Sequence, residues 1–240
     1  TNYFTVEGNT AYCLEPAVPT PSSGIYSAKV LSNNSDLARA LWYVVDGPGA
    51  EDLYAWYGSE GYWQIPDPWI NGVSPYDERY SYSHMFLSWV YAGFDWDTAF
   101  YGTSIPDQSW YDILQADYWN KLGDIRRMDA PPSGFSAYVI DTGSGTQVMG
   151  GWSYVPSGYA QIEKSSANPD LTDGNSCYSL AGAEYGVYTD AACKNKVGTL
   201  TTKANGTSNK LELETGKYYV KETKAPKGFA LDTKVYTVTI

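Results

Sequence analysis

Apolar positions recur at helical spacing in three stretches of the first two thirds of the chain. Ser35 stands as an N-cap before Leu37, Ala40, Leu41 and Val44, and the pattern stops at Gly47-Pro48-Gly49. A second helix is expected from about Asp77, with Tyr82, Met85, Phe86, Trp89 and Val90 on one broad face. A third runs from an Asp107 cap through Trp110, Ile113, Leu114 and Tyr118 to Gly123. Alternation of period two brackets these helices, at about 10–14 and then at 135–140 and 147–152. After the turn signal Val155-Pro156-Ser157-Gly158 the helical period disappears. Short alternating runs follow at 159–164, 184–188, 197–201, 210–213, 217–222 and 234–240, separated by Gly, Asn and Pro. The first part reads as α+β, and the second has the strand spacing of an all-β sandwich.

Charge divides the chain at the same place. Residues 1–158 carry six Lys and Arg against eighteen Asp and Glu, a net of −12, and all nine Trp; residues 159–240 carry ten against nine and no Trp. Two such compositions imply two cores, a 1–158 domain and a 159–240 domain. The overall charge of −11 excludes a basic nucleic-acid binder. Aromatics make up 16% of the residues, so a large core is available and disorder is not expected. There is neither a run of about 18 apolar residues nor a signal-peptide pattern at the start. A soluble, secreted chain without membrane insertion is expected, its secretion signal already removed.

Cysteine usage is the first feature that speaks of chemistry. Cys177 and Cys193 lie 16 residues apart around one expected strand, a separation that a disulfide closes if the flanking loops meet. Cys13 is left over, either as a buried hydrophobe or as a functional atom. One His and three dispersed Cys give no metal-ligand spacing, so neither metal nor cofactor is expected. Asp95 and Asp97 read as solvated loop acids, and Lys217, Lys221, Lys224 and Lys227 as a solvated face.

Ala11-Tyr12-Cys13-Leu14-Glu15-Pro16 resembles the cysteine motif of bacterial thioester domains, the reactive heads of Gram-positive surface adhesins and pilus tips. Gly47-Pro48-Gly49, Ser83-His84-Met85-Phe86-Leu87-Ser88-Trp89 and Thr146-Gln147-Val148-Met149 are similar to further stretches of the same family. That family joins its Cys to a Gln side chain, and the resemblance implies Gln147 for that role. Gln64, Gln108 and Gln115 are the alternatives, the first in a Trp- and Pro-rich loop and the others in or beside the third helix; Gln147 falls in an expected strand. Where the family's middle motif usually has Thr-Gln, this chain has Ser83-His84. His84, its sole His, either shuttles a proton at the site or packs and hydrogen-bonds structurally.

The chemistry explains the residue types. A Cys thiol that attacks the Gln amide carbon expels ammonia and leaves an activated acyl group, which a primary amine such as Lys then takes as a stable amide. Donors must meet the carbonyl oxygen of the intermediate, and walls must exclude water.

The second domain resembles the B-type, prealbumin-like modules of pilins and collagen adhesins. The residues that carry this are Ile162-Glu163-Lys164, the run from Leu180 to Tyr188, and Tyr219-Val220-Lys221-Glu222-Thr223-Lys224-Ala225-Pro226-Lys227-Gly228-Phe229. The family joins such a Lys to an Asn or Asp of its final strand while a Glu manages the protons, which implies Lys164 and Glu222 here. Strand parity independently places both with aliphatic neighbours, Ile162 and Val220, and so in the core. No Asn or Asp follows Ile240, so an ion pair without an isopeptide bond is expected.

These features together read as a cell-wall-associated adhesin or pilus head on a repeat stalk. It would be a monomer that captures a host surface protein or another amine-bearing ligand, in a single covalent turnover rather than by enzyme catalysis. Two other classes remain: a non-covalent sugar binder using Trp56, Tyr57, Tyr62, Trp63 and Trp69 in a loop-like stretch, and a purely structural pilus subunit. A protease dyad of Cys13 and His84 has no flanking pattern to support it.

Overall fold

Ser35 caps helix α1 (Asp36–Tyr43), its Oγ accepting the Ala38 amide at 3.2 Å. The chain then turns back on the helix: Gly49 N–H donates to Trp42 O at 2.9 Å, and a Cβ at Gly47 or Gly49 would collide with Trp42. That close approach accounts for the Gly-Pro-Gly sequence. In the computed structural model residues 4–64, 74–94 and 108–240 are described, and the chain divides into two units, Thr1–Tyr154 and Val155–Ile240.

In the first unit, α2 (Ala50–Tyr57) and a 3₁₀ turn (Glu60–Trp63) follow α1 directly. The described part of the stretch expected as loop is therefore mostly helical. Tyr62 and Trp63 are buried core, Trp56 and Tyr57 stay exposed on α2, and Trp69 lies outside the described residues. Helix α3 (Pro75–Ala92) begins at a Ser74 cap, two residues before the expected start. Helix α4 (Gln108–Arg127) runs through Gly123 to two arginines that suit its C-terminal dipole, and Arg126 pairs with Asp36 at the start of α1. Asp107, Asp95 and Asp97 lie outside the described residues.

These helices pack on one face of a five-stranded antiparallel sheet, ordered β1 (Phe4–Val6), β2 (Asn9–Cys13), β5 (Met149–Tyr154), β4 (Phe135–Asp141), β3 (Ser27–Val30). β1 and β2 are joined at Glu7 and Gly8, both at positive φ, as a two-residue hairpin requires. Register assigns the faces. Tyr12, Leu14, Phe135 and Ala137 point to the helices and join a core that includes Trp63, Trp89, Tyr80 and Phe86. Each such side chain contributes about 1.5–3 kcal/mol on burial. Ala11, Cys13, Tyr138, Ile140 and Met149 point the other way and form a separate small cluster.

The second unit places a four-stranded sheet, β11 (Val235–Thr239), β10 (Lys217–Lys224), β7 (Glu184–Tyr188), β8 (Lys196–Thr201), over a pair, β6 (Ser157–Ala160) and β9 (Leu211–Glu214). Ala160 and Leu213 from the pair meet Tyr185, Val187, Leu200, Tyr218 and Val220 in one core, which is a sandwich. A single helical turn, α5 (Pro169–Thr172), interrupts the long connection from β6 to β7. The expected boundary at 158 falls inside β6.

The expected Cys177–Cys193 disulfide is corrected: both are free thiols. The segment around Cys177 is held beyond the end of β10, with Ser179 N–H donating to Lys227 O at 3.0 Å and Tyr178 edge-on to Phe229, on the side where Lys224 faces Glu184 at the start of β7. Cys193 sits in the turn after β7, its N–H donating to Asp190 O. The two segments thus lie at opposite ends of β7, a strand about 13 Å long from its first to its last residue, more than the ~6 Å Cα spacing of a disulfide.

Candidate functional site

Cys13 closes β2 and stands opposite Met149, the first residue of β5. Leu14 N–H donates to Val148 O at 2.8 Å, which makes Cys13 and Met149 a non-hydrogen-bonded pair and carries the register one step past the strand ends. Gln147 comes next, in the connection before β5 rather than in the strand itself, where Thr142 Oγ1 donates to its carbonyl and its own N–H donates to Pro19 O. Residues 134 positions apart in sequence are thus brought to adjoining ends of one strand pair. Cys13 and Gln147 are 2% and 7% exposed, and Gln147 Oε1 is buried without a hydrogen-bond partner. An orphaned amide oxygen is costly and calls for a reason.

Burial pushes the Cys13 thiol up to about 12; a hydrogen bond from the Glu15 main-chain amide opposes that shift, and the Glu15 carboxylate adds to it. A protease nucleophile needs the reverse shift. The alternative glutamines are elsewhere: Gln64 is exposed after the 3₁₀ turn, Gln108 donates to Asp112 at 2.8 Å, and Gln115 lies on α4.

Helix α3 holds the cysteine strand by a polar stripe at spacing of four. Tyr80 OH donates to Ala11 O at 3.3 Å, His84 Nε2 accepts the Cys13 N–H, and Ser88 Oγ donates to Leu14 O at 2.9 Å. Positions i, i+4 and i+8 share a helix face, so one ridge holds the backbone of three residues, Ala11, Cys13 and Leu14. His84 therefore contacts the main chain of Cys13. Sequence reasoning singled out His84 alone; the signal for Tyr80 and Ser88 is the fourfold spacing of hydrogen-bonding groups centred on His84. Glu15 was also missed as a site residue, and its carboxylate accepts the Val148 N–H at 3.3 Å, closing the gap where the ladder opens.

Edge contacts from Phe4, Tyr12 and Tyr80 enclose the His84 ring, and burial pulls its pKa down to about 4. A folded value below the unfolded one near 6.5 gives stability that is present above pH 6.5 and lost as pH falls toward 4. About 2 kcal/mol of the first unit's stability is expected to disappear between pH 7 and pH 4.5 through this group. His84→Gln, which keeps an acceptor for the Cys13 amide, should remove that part of the loss in tryptophan-fluorescence melts. Equal acid sensitivity in both proteins would refute it.

In the second unit Lys164 Nζ lies 3.0 Å from Glu222 Oε1 and 3.2 Å from Tyr185 OH. Glu222 Oε2 accepts the Asp232 N–H at 2.6 Å. Burial works against the Lys164 ammonium, but its hydrogen bonds to Glu222 and Tyr185 outweigh this and leave its pKa raised. Among the described residues no group of side chains has metal-binding spacing, and no helix is long and apolar enough to cross a membrane.

A thioester-domain model matches residues 1–125, and a prealbumin-like fold domain model matches residues 170–240. The trypsin-resistant surface T6 protein of Streptococcus pyogenes serotype M6 is 43% identical over 61 residues, 25% of this chain and 11% of that protein. The chain therefore spans about a tenth of the length of that curated relative. The solved T6 backbone pilin is 26% identical over 44% of this chain and 24% of its own, with a TM-score of 0.29. The N-terminal thioester domain of a Clostridium perfringens surface protein is 13% identical over 61% of this chain and 82% of its own, with a TM-score of 0.31.

Proposed function

Because the chain belongs to the thioester-domain family and carries a prealbumin-like domain after it, we propose that its first unit captures an amine-bearing partner covalently, through a thioester between Cys13 and Gln147. The observation that carries this reading is the arrival of two buried residues, Cys13 and Gln147, at adjoining ends of one strand pair, with the Gln147 side-chain amide oxygen left without a hydrogen-bond partner.

Cys13 Sγ attacks Gln147 Cδ; the C–N bond breaks, and the amide nitrogen leaves as ammonia with the thiol proton. A primary amine then attacks the same carbon, the C–S bond breaks, and the thiol regains a proton from the attacking nitrogen. The product is an amide, one partner per molecule, so the protein acts as a single-turnover binder and not as an enzyme. His84, Tyr80 and Ser88 are positioning residues that fix the main chain on either side of Cys13. The acidic first unit favours encounter with basic, lysine-bearing surfaces. The second unit serves as a stalk module, outside the cell on the surface of a Gram-positive bacterium, and the partner is a host surface protein.

Intact mass spectrometry of freshly purified protein tests this. The expected mass is one ammonia below the sequence mass, a deficit absent from Cys13→Ala and from Gln147→Ala, and methylamine should add to the wild type at Gln147. An unmodified mass with no methylamine adduct would sink the reading.

A further inference from the structure

The sheet face opposite the helices carries more than Cys13. A groove of about 590 Å³ lies over it, and most of the small apolar cluster that contains Cys13 forms its lining: Phe4 and Val6 of β1, Tyr138 and Ile140 of β4, Met149 of β5, and Tyr26. The register explains this, since Phe4 opposes Ala11, Met149 opposes Cys13 and Ile140 opposes Met149, all on one side. The Pro21–Tyr26 loop makes one wall, fastened by Tyr26 OH donating to Ser22 O at 2.6 Å, and presents a fully exposed Ile25. Thr142, which holds the Gln147 carbonyl, lines the groove as well. Glu7 is the sole charged residue among its lining, and no Lys or Arg contributes.

We infer that this groove is the docking channel of the capture site, and that it selects a lysine on an extended protein segment whose neighbouring side chains are apolar, over a lysine with small or polar neighbours. This rests on the capture reading above. The groove shares Met149 and the Tyr138–Ile140 face with the Cys13 cluster, and Thr142 with the Gln147 main chain, so it runs beside the two reacting residues although neither lines it. Its volume holds a lysine stem plus one flanking side chain, and Glu7, its one charged lining residue, complements an ammonium. The apolar floor takes the methylene stem and the neighbours, so the amine nitrogen is delivered at the Cys13 and Gln147 end.

Two acetylated, amidated tripeptides serve as probes, Phe-Lys-Val and Gly-Lys-Gly, with adduct formation followed by intact mass on the fraction that lacks one ammonia. The apolar-flanked peptide should add about tenfold faster or more. Ile25→Ser, which removes an exposed wall, and Ala28→Trp, which fills the groove from an exposed strand position, should each bring the ratio close to one. Equal rates in the wild type, or a ratio that neither variant changes, overturns the inference. Amide-shift titration of the Cys13→Ala protein with Phe-Lys-Val separates the two claims. Binding there, lost in Ile25→Ser, supports the groove even if no thioester forms; no binding of either peptide overturns the groove while leaving the thioester to its own mass test.

Discussion

In a Gln147→Ala protein, where Cys13 has no acyl partner, alkylation of Cys13 by iodoacetamide at pH 8 is expected to run about a hundredfold slower than that of an ordinary thiol. The thiol is raised from 9.0 to about 12 by burial, so its thiolate fraction at pH 8 falls about a thousandfold. Each anion of a more basic thiol is about tenfold more nucleophilic or somewhat better, which returns part of the loss. The restricted access of a residue 2% exposed lowers the rate again. The rate should climb steadily through pH 10 without a plateau, while the exposed Cys177 is modified early in the same sample. A plateau near pH 8, or Cys13 reacting together with Cys177, would show that the thiol is not desolvated.

The same desolvation bears on the proposed capture. A thiolate that is poorly tolerated in its pocket is a poor leaving group, so a bound acyl group is held until something supplies a proton. An attacking amine supplies it, because its nitrogen must shed a proton to become an amide. Attacking water sheds a proton in the same way, so in the proposed reaction selectivity for an amine rests on fit and on exclusion of water. The neutral His84 is consistent with a proton that comes from the attacking group, since its Nε2 lone pair is taken up by the Cys13 amide.

Capped helices and long alternating strands were legible in the sequence, because each carries its own signal: Ser35 before a periodic run, or buried Val220 and Glu222 alternating with the half-buried Tyr219 and Lys221. β1 and β3 were not, being three and four residues long, and β3 is exposed along its whole length, which leaves no apolar alternation to read. α2 was hidden by its aromatics, which pack equally well in a loop. The Cys177 and Cys193 spacing could not say that both ends of a strand lay between them. Gln147 was singled out by motif but its element was misplaced, because β5 begins at Met149 and leaves Gln147 in the preceding connection. The α3 stripe shows the limit most plainly. Tyr80, His84 and Ser88 look like unrelated polar residues until the backbone of β2 is laid against them.

Glu222→Ala should cost the second unit about 3–5 kcal/mol. The Glu222 side chain is fully buried and meets two partners, the Lys164 ammonium at 3.0 Å and the Asp232 N–H at 2.6 Å. Truncation leaves a largely buried ammonium with only the Tyr185 hydroxyl beside it, together with a main-chain amide that has lost its acceptor. The pair itself need not be strongly stabilising, since desolvation offsets most of its attraction. Lys164→Met combined with Glu222→Leu should therefore cost far less than Glu222→Ala alone. The distribution of Trp makes this measurable in the intact chain: all nine lie in the first unit, so tryptophan fluorescence follows that unit while calorimetry and far-UV dichroism also record the other. The expected result is a second-unit transition lowered in Glu222→Ala and largely restored in the double variant, with the tryptophan transition unmoved. The pair's contribution should persist through neutral pH and fade only above about 10.5, because the Lys164 pKa is raised on folding. A harmless Glu222→Ala, or a double variant as damaged as the single one, would mean that the Lys164 charge is solvated after all, and that strand parity had placed it in the core wrongly.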